Sequence, residues 1–120
     1  VPDELDLIAD RLRRWADDDR VDLIVTTGGT GLAPTDVTPE ACLSVIEREV
    51  PGFAEAMRSK TIEKTPMAML SRSVAGIRGS TLMVTLPGNP RGVSECLDVI
   101  ISVLPHALEL LNDQATGHPE

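Results

Sequence analysis

The stretch Asp22-Leu23-Ile24-Val25-Thr26-Thr27-Gly28-Gly29-Thr30-Gly31 joins a short apolar run directly to a glycine-rich turn. Its β-branched residues, bounded by a charge and by glycines, predict a buried strand over residues 22–27. The glycines let the backbone adopt conformations that a side chain forbids, and they let a ligand approach the main chain closely. Thr38 as an N-cap, followed by Pro39 and Glu40, predicts that a helix begins soon after the turn. A strand, a glycine turn and a helix N-terminus together favour an anion-binding site.

The turn differs from the two common phosphate-binding motifs. No lysine lies between residues 1 and 59, so the Lys-Ser/Thr of a P-loop is absent, and so is the glycine spacing of a dinucleotide fold. A tight connection between strand and helix that binds no ligand therefore stays open on spacing alone. Asp36, just ahead of the predicted helix, favours a ligand. Because a bare carboxylate would repel a phosphate, an acid at this turn indicates a divalent cation between the two.

Length and composition limit the class of protein. The 120 residues allow one domain, predicted over residues 1–112 with a polar tail over 113–120. The net charge of −8 argues against nucleic-acid or anionic-membrane partners, and one Trp, one Phe and no Tyr argue against base-stacking surfaces. Without a membrane-spanning apolar run or a secretory signal at residue 1, we expect a cytoplasmic protein. Cys42 and Cys96 indicate buried thiols, not a zinc site or a disulfide.

Helical spacing of apolar residues predicts four helices along the chain. The first is capped by Asp3 and ends in the polar run 17–20, the second runs from Thr38 to the break at Pro51-Gly52, the third covers about 53–63, and the last follows residue 90 and is kinked or split at Pro105. The basic residues of the third helix and its end, Arg58, Lys60 and Lys64, are interpreted as a solvated face.

The second clear buried strand is Thr81-Leu82-Met83-Val84-Thr85-Leu86, and the turn at residues 78–80 predicts a hairpin with an antiparallel piece over 74–77. Pro87-Gly88-Asn89-Pro90 is a second strand-to-helix turn, with Asn89 as its N-cap. Strands that alternate with helices predict an α/β fold, a three-layer αβα sandwich with a mostly parallel sheet. A sheet of so few strands is too narrow to cover four helices. We therefore expect an N-terminal strand–helix unit to be missing.

Sites in α/β sheets form at the carboxyl ends of strands, so both glycine turns are expected to face one crevice. Arg72 offers a fork of donors for a phosphate or carboxylate, and Ser71 offers a hydroxyl. Asp3 and Asp36 could hold Mg²⁺ together with substrate oxygens. This layout is typical of phosphoryl or nucleotidyl transfer. Structural roles stay open for each residue: Asp3 and Asn89 as helix caps, and Ser71 and Arg72 as surface hairpin residues.

Four motifs in order resemble the MogA/MoaB family of molybdenum-cofactor biosynthesis. They are Thr27-Gly28-Gly29-Thr30-Gly31, Pro34-Thr35-Asp36-Val37-Thr38-Pro39-Glu40-Ala41, Met69-Leu70-Ser71-Arg72 and Leu86-Pro87-Gly88-Asn89-Pro90. The resemblance runs from Pro2 to about Leu111. Residues 75–82 and 104–108 look most like the G domains of gephyrin and of plant molybdenum-cofactor proteins. CinA and MoeA share the fold and a related glycine turn, but their versions lack the Asp-Val-Thr-Pro-Glu run.

The resemblance implies Mg²⁺-dependent transfer of AMP from ATP to the terminal phosphate of molybdopterin, which gives adenylylated molybdopterin and pyrophosphate. It also implies a homotrimer and hand-over of the product to a MoeA-like molybdenum-insertion protein or fused domain. Asp3 and Asp36 match the family's catalytic, metal-handling acids. The substrate-binding positions it implies are Thr27, Gly28, Gly29, Thr30, Gly31, Ser71, Arg72, Pro87, Gly88, Asn89 and Pro90.

This sequence departs from the family at three places. Relatives often carry Arg where Thr35 stands, and many have Asn where Thr85 stands. The family usually begins with a strand, a Ser-Asp segment and a helix ahead of the position of Val1, and we expect that piece to be missing here. Two non-catalytic roles stay open beside the enzyme: a trimeric scaffold, as G domains serve in gephyrin-like proteins, and a domain that binds molybdopterin without activating it.

Overall fold

The computed structural model describes residues 4–116 and the side chains of residues 4–112. Its helices and strands are α1 (Glu4–Asp17), β1 (Leu23–Thr27), α2 (Thr38–Val45), β2 (Arg48–Glu49), α3 (Pro51–Thr61), a 3₁₀ helix (Pro66–Leu70), β3 (Ala75–Arg78), β4 (Thr81–Leu86), α4 (Pro90–Ile100) and α5 (Leu104–Thr116). The predicted cap Asp3 lies outside the described residues. The predicted 113–120 tail begins as helix, because α5 continues to Thr116.

The sheet has four strands among the described residues, in the order β1-β4-β3-β2. β1 and β4 pair in parallel, from Leu23 beside Leu82 to Thr27 beside Leu86. The other two pairs, β3 with β4 and β2 with β3, are antiparallel. The α/β class is confirmed, but the sheet is mixed and not mostly parallel. The reason is the short turn at Gly79, whose φ is +59°, since so tight a connection can join only antiparallel strands.

Helices cover both faces of the sheet, which confirms the three-layer arrangement. On one face α1 and α2 pack around Leu12, Val45 and Met83. On the other face α3, α4 and α5 pack around Met57, Leu82, Val84, Leu86 and Ile100. Alternate side chains of β4 therefore point into different cores, as the period of a strand requires. All six residues of β4 are buried.

Helix α2 differs from its prediction at both ends. Its N-cap is Val37, not Thr38, and no side chain caps it. Thr38 instead packs beside the glycine turn: its backbone N–H donates to the Gly29 carbonyl at 3.2 Å, and its side chain is 7% exposed. At the other end α2 stops at Val45 and does not reach Val50, because the following backbone pairs with β3, with Val50 N–H donating to Ala75 O at 2.9 Å.

Other local predictions are confirmed. Asn89 caps α4, and its side-chain oxygen accepts from Gly92 N–H at 2.6 Å. The last helix is split: α4 ends at Ile100, and Pro105 lies in the first turn of α5. Both cysteines, Cys42 and Cys96, are buried free thiols. Within residues 4–116, no helix has the length and apolar character that crossing a bilayer requires.

Gly76 of β3 is expected to tolerate no side chain. An added Cβ would lie 2.4 Å from Ile46 Cδ1 and 2.8 Å from the Arg48 carbonyl oxygen. Because a backbone oxygen cannot move aside cheaply, Gly76→Ala should lower the free energy of unfolding by about 1–3 kcal/mol. Urea denaturation of the full-length protein measures this change.

Gly52→Ala is the matched control, because nothing lies within 4 Å of its added Cβ and its φ is not positive. It should leave stability unchanged or raise it by about 0.4–1 kcal/mol, since alanine restricts the unfolded chain. Equal losses of stability in the two variants would contradict the packing described at β3.

Candidate functional site: the crevice at the glycine turns

The turns after β1 and β4 lie side by side, because those strands are parallel neighbours. Gly28 N–H donates to the Leu86 carbonyl at 3.0 Å. A Cβ on Gly88 would lie 3.1 Å from Gly28 Cα, so the two turns pack main chain against main chain. Gly28 and Gly29 have φ values of +93° and +72°, which side chains rarely adopt. Both turns therefore need glycine, and they open together at the carboxyl edge of the sheet.

A crevice of about 640 Å³ lies in front of these turns. Eight of the sequence-predicted site residues line it: Gly29, Thr30, Gly31, Asp36, Ser71, Pro87, Gly88 and Asn89. Thr27, Gly28, Arg72 and Pro90 lie beside the crevice wall but not on it. Asp3 lies outside the described residues. Two of the three departures from the family are single residues. Thr35 is exposed off the wall, and Thr85 is buried and accepts a hydrogen bond from Val74 N–H at 2.8 Å.

Asp36 is held at the crevice with part of its carboxylate uncommitted. Its Oδ2 accepts a hydrogen bond from Ala33 N–H at 3.1 Å, while its own N–H donates to the Ala33 carbonyl at 2.9 Å. Oδ1 makes no hydrogen bond with any described residue. The carboxylate is therefore oriented by its own loop and keeps an oxygen for a ligand.

Sequence reasoning missed most of the opposite wall, which α3 and the residues after it supply. Arg58, Thr61 and Lys64 recur at helical spacing and face the crevice with Met57 and Thr65. The prediction of a solvated basic face was wrong for Arg58, which is half-buried. Lys60 and Lys64 are exposed as predicted, and of these two only Lys64 lines the crevice. The helical spacing of positions 57, 58, 61, 64 and 65 was the available signal. This spacing identifies a crevice wall only when the packing of α3 against α4 is known.

The crevice is locally cationic although the chain is acidic. Its wall carries the bases Arg58, Lys64 and Arg91 and the acids Asp36 and Glu95, against a net charge of −8 for the chain. Arg91 pairs with Glu95, Nε to Oε1, at 3.2 Å. Lys64 makes no ion pair with any described residue, so its charge is available to an anion.

Two residues of the wall are committed to local structure. Ser71 Oγ donates to Ser73 Oγ at 3.2 Å and accepts from Ser73 N–H at 3.3 Å. Arg58 Nη1 donates to the Ser73 carbonyl at 3.1 Å, which fixes this segment against α3.

Burial raises the pKa of Cys96, which also lines the crevice, and raises that of Cys42 to about 11. Neither thiol is therefore a nucleophile at neutral pH.

Arg72 faces the protein and not the cavity. Its guanidinium donates to the carbonyls of Gly31, at 2.7 Å from Nε, and of Asp36, and it forms an ion pair with Glu40. The hydrogen bond from Arg72 lowers the pKa of the Glu40 carboxyl from its usual value. Three of the five N–H groups that a guanidinium carries are thus used within the chain.

Comparison with known proteins identifies the family of the chain. Residues 1–106 match the model of a family described as a probable molybdopterin binding domain. The chain is 45% identical over 116 residues to the molybdenum cofactor synthesis protein cinnamon of Drosophila melanogaster, covering 97% of this chain and 19% of that protein. It is 44% identical over 111 residues to a molybdopterin adenylyltransferase of Helicobacter pylori, covering 92% of this chain and 63% of that enzyme.

Solved structures show the same fold. A molybdopterin biosynthesis enzyme MoaB from Thermus thermophilus superposes with a TM-score of 0.85 at 56% identity, over 99% of this chain and 72% of that one. The Mog protein from Mycobacterium ulcerans gives 0.83 at 45% identity, over 88% of this chain and 68% of that one. The chain spans less than two thirds of the length of the two curated relatives, cinnamon and the Helicobacter pylori enzyme. The predicted resemblance to MogA and MoaB is confirmed, and the chain belongs to the family of probable molybdopterin-binding domains.

Proposed function

We propose that this chain carries the catalytic crevice of a molybdopterin adenylyltransferase, which transfers AMP from ATP to the terminal phosphate of molybdopterin and releases pyrophosphate. The observation that carries the proposal is the position of Asp36, which offers a free carboxylate oxygen to a crevice otherwise suited to phosphates. Relatives at 44% and 45% identity are named molybdopterin adenylyltransferase in Helicobacter pylori and Escherichia coli. Both substrates of that reaction are phosphate-bearing anions.

The crevice has three kinds of group suited to phosphates. The first is the backbone of the two glycine turns, which a ligand can approach closely. The second is the N-terminus of α4, whose dipole favours negative charge beside Asn89. The third is the cationic pair on the α3 side, Arg58 and Lys64. Together they favour binding of a polyphosphate along the floor and of a second phosphate beside it.

The proposed reaction is a displacement at phosphorus. An oxygen of the terminal phosphate of molybdopterin attacks the α-phosphorus of ATP, and the bond from that phosphorus to the bridging oxygen breaks. Pyrophosphate leaves with the electron pair. Charge moves onto the leaving group, so fixed cations and N–H donors stabilise the transition state more than the ground state. The crevice wall contributes mainly alignment and this charge stabilisation.

The donor set fits Mg²⁺ shared with a nucleotide better than a metal held by protein alone. Among residues 4–116 no group of three or more His, Cys, Asp or Glu side chains is placed to hold a metal ion. Mg²⁺ commonly uses one or two carboxylates together with substrate phosphates and water. Asp36 would hold it through Oδ1, with Asp3 proposed as the second acid. When bound, the ion supplies neutralisation of phosphate charge.

A binding or scaffold role without turnover is the second candidate. It is favoured by the 44% identity to a protein named gephyrin in Dictyostelium discoideum, of which this chain covers 16%. A homotrimer and hand-over to a MoeA-like partner remain proposals that rest on the family alone, as does a cytoplasmic location. Turnover distinguishes the candidates, because a scaffold or a binding-only domain would release no pyrophosphate.

Asp36→Asn is expected to lower turnover by at least about a hundredfold, the scale of a lost electrostatic contact in a transition state. The change keeps the shape of the side chain but removes its charge. The measurement is pyrophosphate release from Mg-ATP with molybdopterin present, on the full-length protein. Asp98→Asn, an exposed position of α4 away from the crevice, is the matched control and should retain full turnover.

Near-normal turnover in Asp36→Asn would remove Asp36 from the mechanism. A wild-type protein that binds molybdopterin but releases no pyrophosphate would overturn the adenylyltransferase proposal and support the binding or scaffold role.

Lys64→Gln is expected to weaken ATP binding by about threefold, the order of one partly solvent-screened charge. Lys60→Gln changes the same charge close by, off the crevice wall, and should leave the affinity unchanged. Isothermal titration of the full-length protein with Mg-ATP measures both. Equal losses for the two variants would mean that overall charge, and not the crevice, governs binding.

A further inference from the structure

We infer that Arg72 is a positioning residue, whose guanidinium holds the loop of residues 30–36 so that Asp36 faces the crevice. This inference rests on the proposed function, because the position of Asp36 matters for activity only if Asp36 acts in the proposed reaction. It also reassigns Arg72, which the sequence presented as a direct ligand for substrate.

The contacts of Arg72 span the whole loop. Its backbone N–H donates to the Thr30 carbonyl at 2.9 Å, and its Nε donates to the Gly31 carbonyl at 2.7 Å. Nη2 reaches the Asp36 carbonyl at the far end of the loop. One planar side chain thus fixes two carbonyls, one at each end, and the second belongs to the proposed catalytic acid.

Apart from Arg72, the hydrogen bond across the base of the loop is that from Thr38 N–H to the Gly29 carbonyl, at 3.2 Å. No helix or strand lies between β1 and α2, which end and begin at Thr27 and Thr38. Within the loop Asp36 bonds only to Ala33, three residues away. Those local bonds fix the shape of the turn, but they do not fix where the turn sits relative to the 71–73 segment. Arg72 supplies that link from a distant part of the chain.

The ion pair with Glu40 contributes less to the position of the loop. Its two side chains are 33% and 45% exposed, and ion pairs in such surroundings contribute little. The two carbonyl contacts are directional, and they need donors in the fixed fork of a guanidinium. Lysine has a single ammonium group and cannot reproduce both bonds. Arg72 also lies off the crevice wall, which argues against direct contact with substrate.

The test combines Arg72→Ala with amide hydrogen exchange and kinetics on the full-length protein. Without substrate, amides of residues 30–36 should exchange at least about tenfold faster, as expected when local opening becomes easier, while amides of β4 stay unchanged. In pyrophosphate release, kcat should fall at least about tenfold while KM for ATP changes less than about threefold, the pattern of a misplaced catalytic group. In an Asp36→Asn background, Arg72→Ala should cost less than about twofold more, because a residue that acts through Asp36 loses its effect once Asp36 is changed.

Glu40→Gln is the matched control, because it removes the ion pair and keeps both carbonyl bonds. It should change kcat by less than about threefold. If Arg72→Ala does not fold, Arg72→Lys replaces it and should show the same loop-specific exchange, since it too loses the fork. Unchanged exchange in the loop, full additivity with Asp36→Asn, or a change in KM alone would overturn the inference. The exchange experiment needs no turnover, so failure of the proposed function would be recognised separately.

Discussion

The parallel pairing of β1 with β4 is the constraint on which the site depends. Parallel neighbours end at the same edge of a sheet, so the chain must turn twice at one place, once after Thr27 and once after Leu86. The turns touch through Gly28 and Gly88, and the second turn leads directly to α4, whose first turn lines the crevice. The antiparallel strands β3 and β2 extend the sheet on the side of β4 opposite β1.

The position of β4 explains why this edge is rigid. Its side chains alternate between two cores, and helices close both faces. Two threonines of β4 have paired hydroxyls: Thr81 donates to the Val21 carbonyl, and Thr85 both accepts from and donates to Val74. The hydroxyl of Thr26, beside Thr85 on β1, is buried without a hydrogen-bond partner among the described residues. Buried hydrogen bonds like those of Thr81 and Thr85 specify the register as well as stabilise it. A rigid floor of this sort suits chemistry in which alignment supplies much of the rate.

Local chemistry allowed β1, β3 and β4, the two glycine turns, the Gly79 hairpin, the Asn89 cap and the break at Pro105 to be predicted from sequence, but not β2, which lies within the predicted second helix. These features depend on neighbouring residues only. The failures involve distant partners: α2 ends early because β3 competes for its following backbone, and Thr38 packs on the glycine turn instead of capping a helix. The α3 wall and the inward direction of Arg72 could not be predicted for the same reason, since their partners lie far along the chain.

The acidic chain and the cationic crevice act on different steps of anion binding. The charge of the chain acts on arrival, and the charge of the crevice acts on release. Outside the crevice an approaching anion is repelled by a chain with net charge −8, over a range that screening limits to about one Debye length, roughly 8 Å at physiological salt. Inside the crevice, the bases Arg58, Lys64 and Arg91 outnumber the acids Asp36 and Glu95 by one. Added salt therefore raises both rates: it relieves the repulsion that slows the arrival of an anion, and it weakens the attraction that delays its departure, so its two effects on affinity oppose each other.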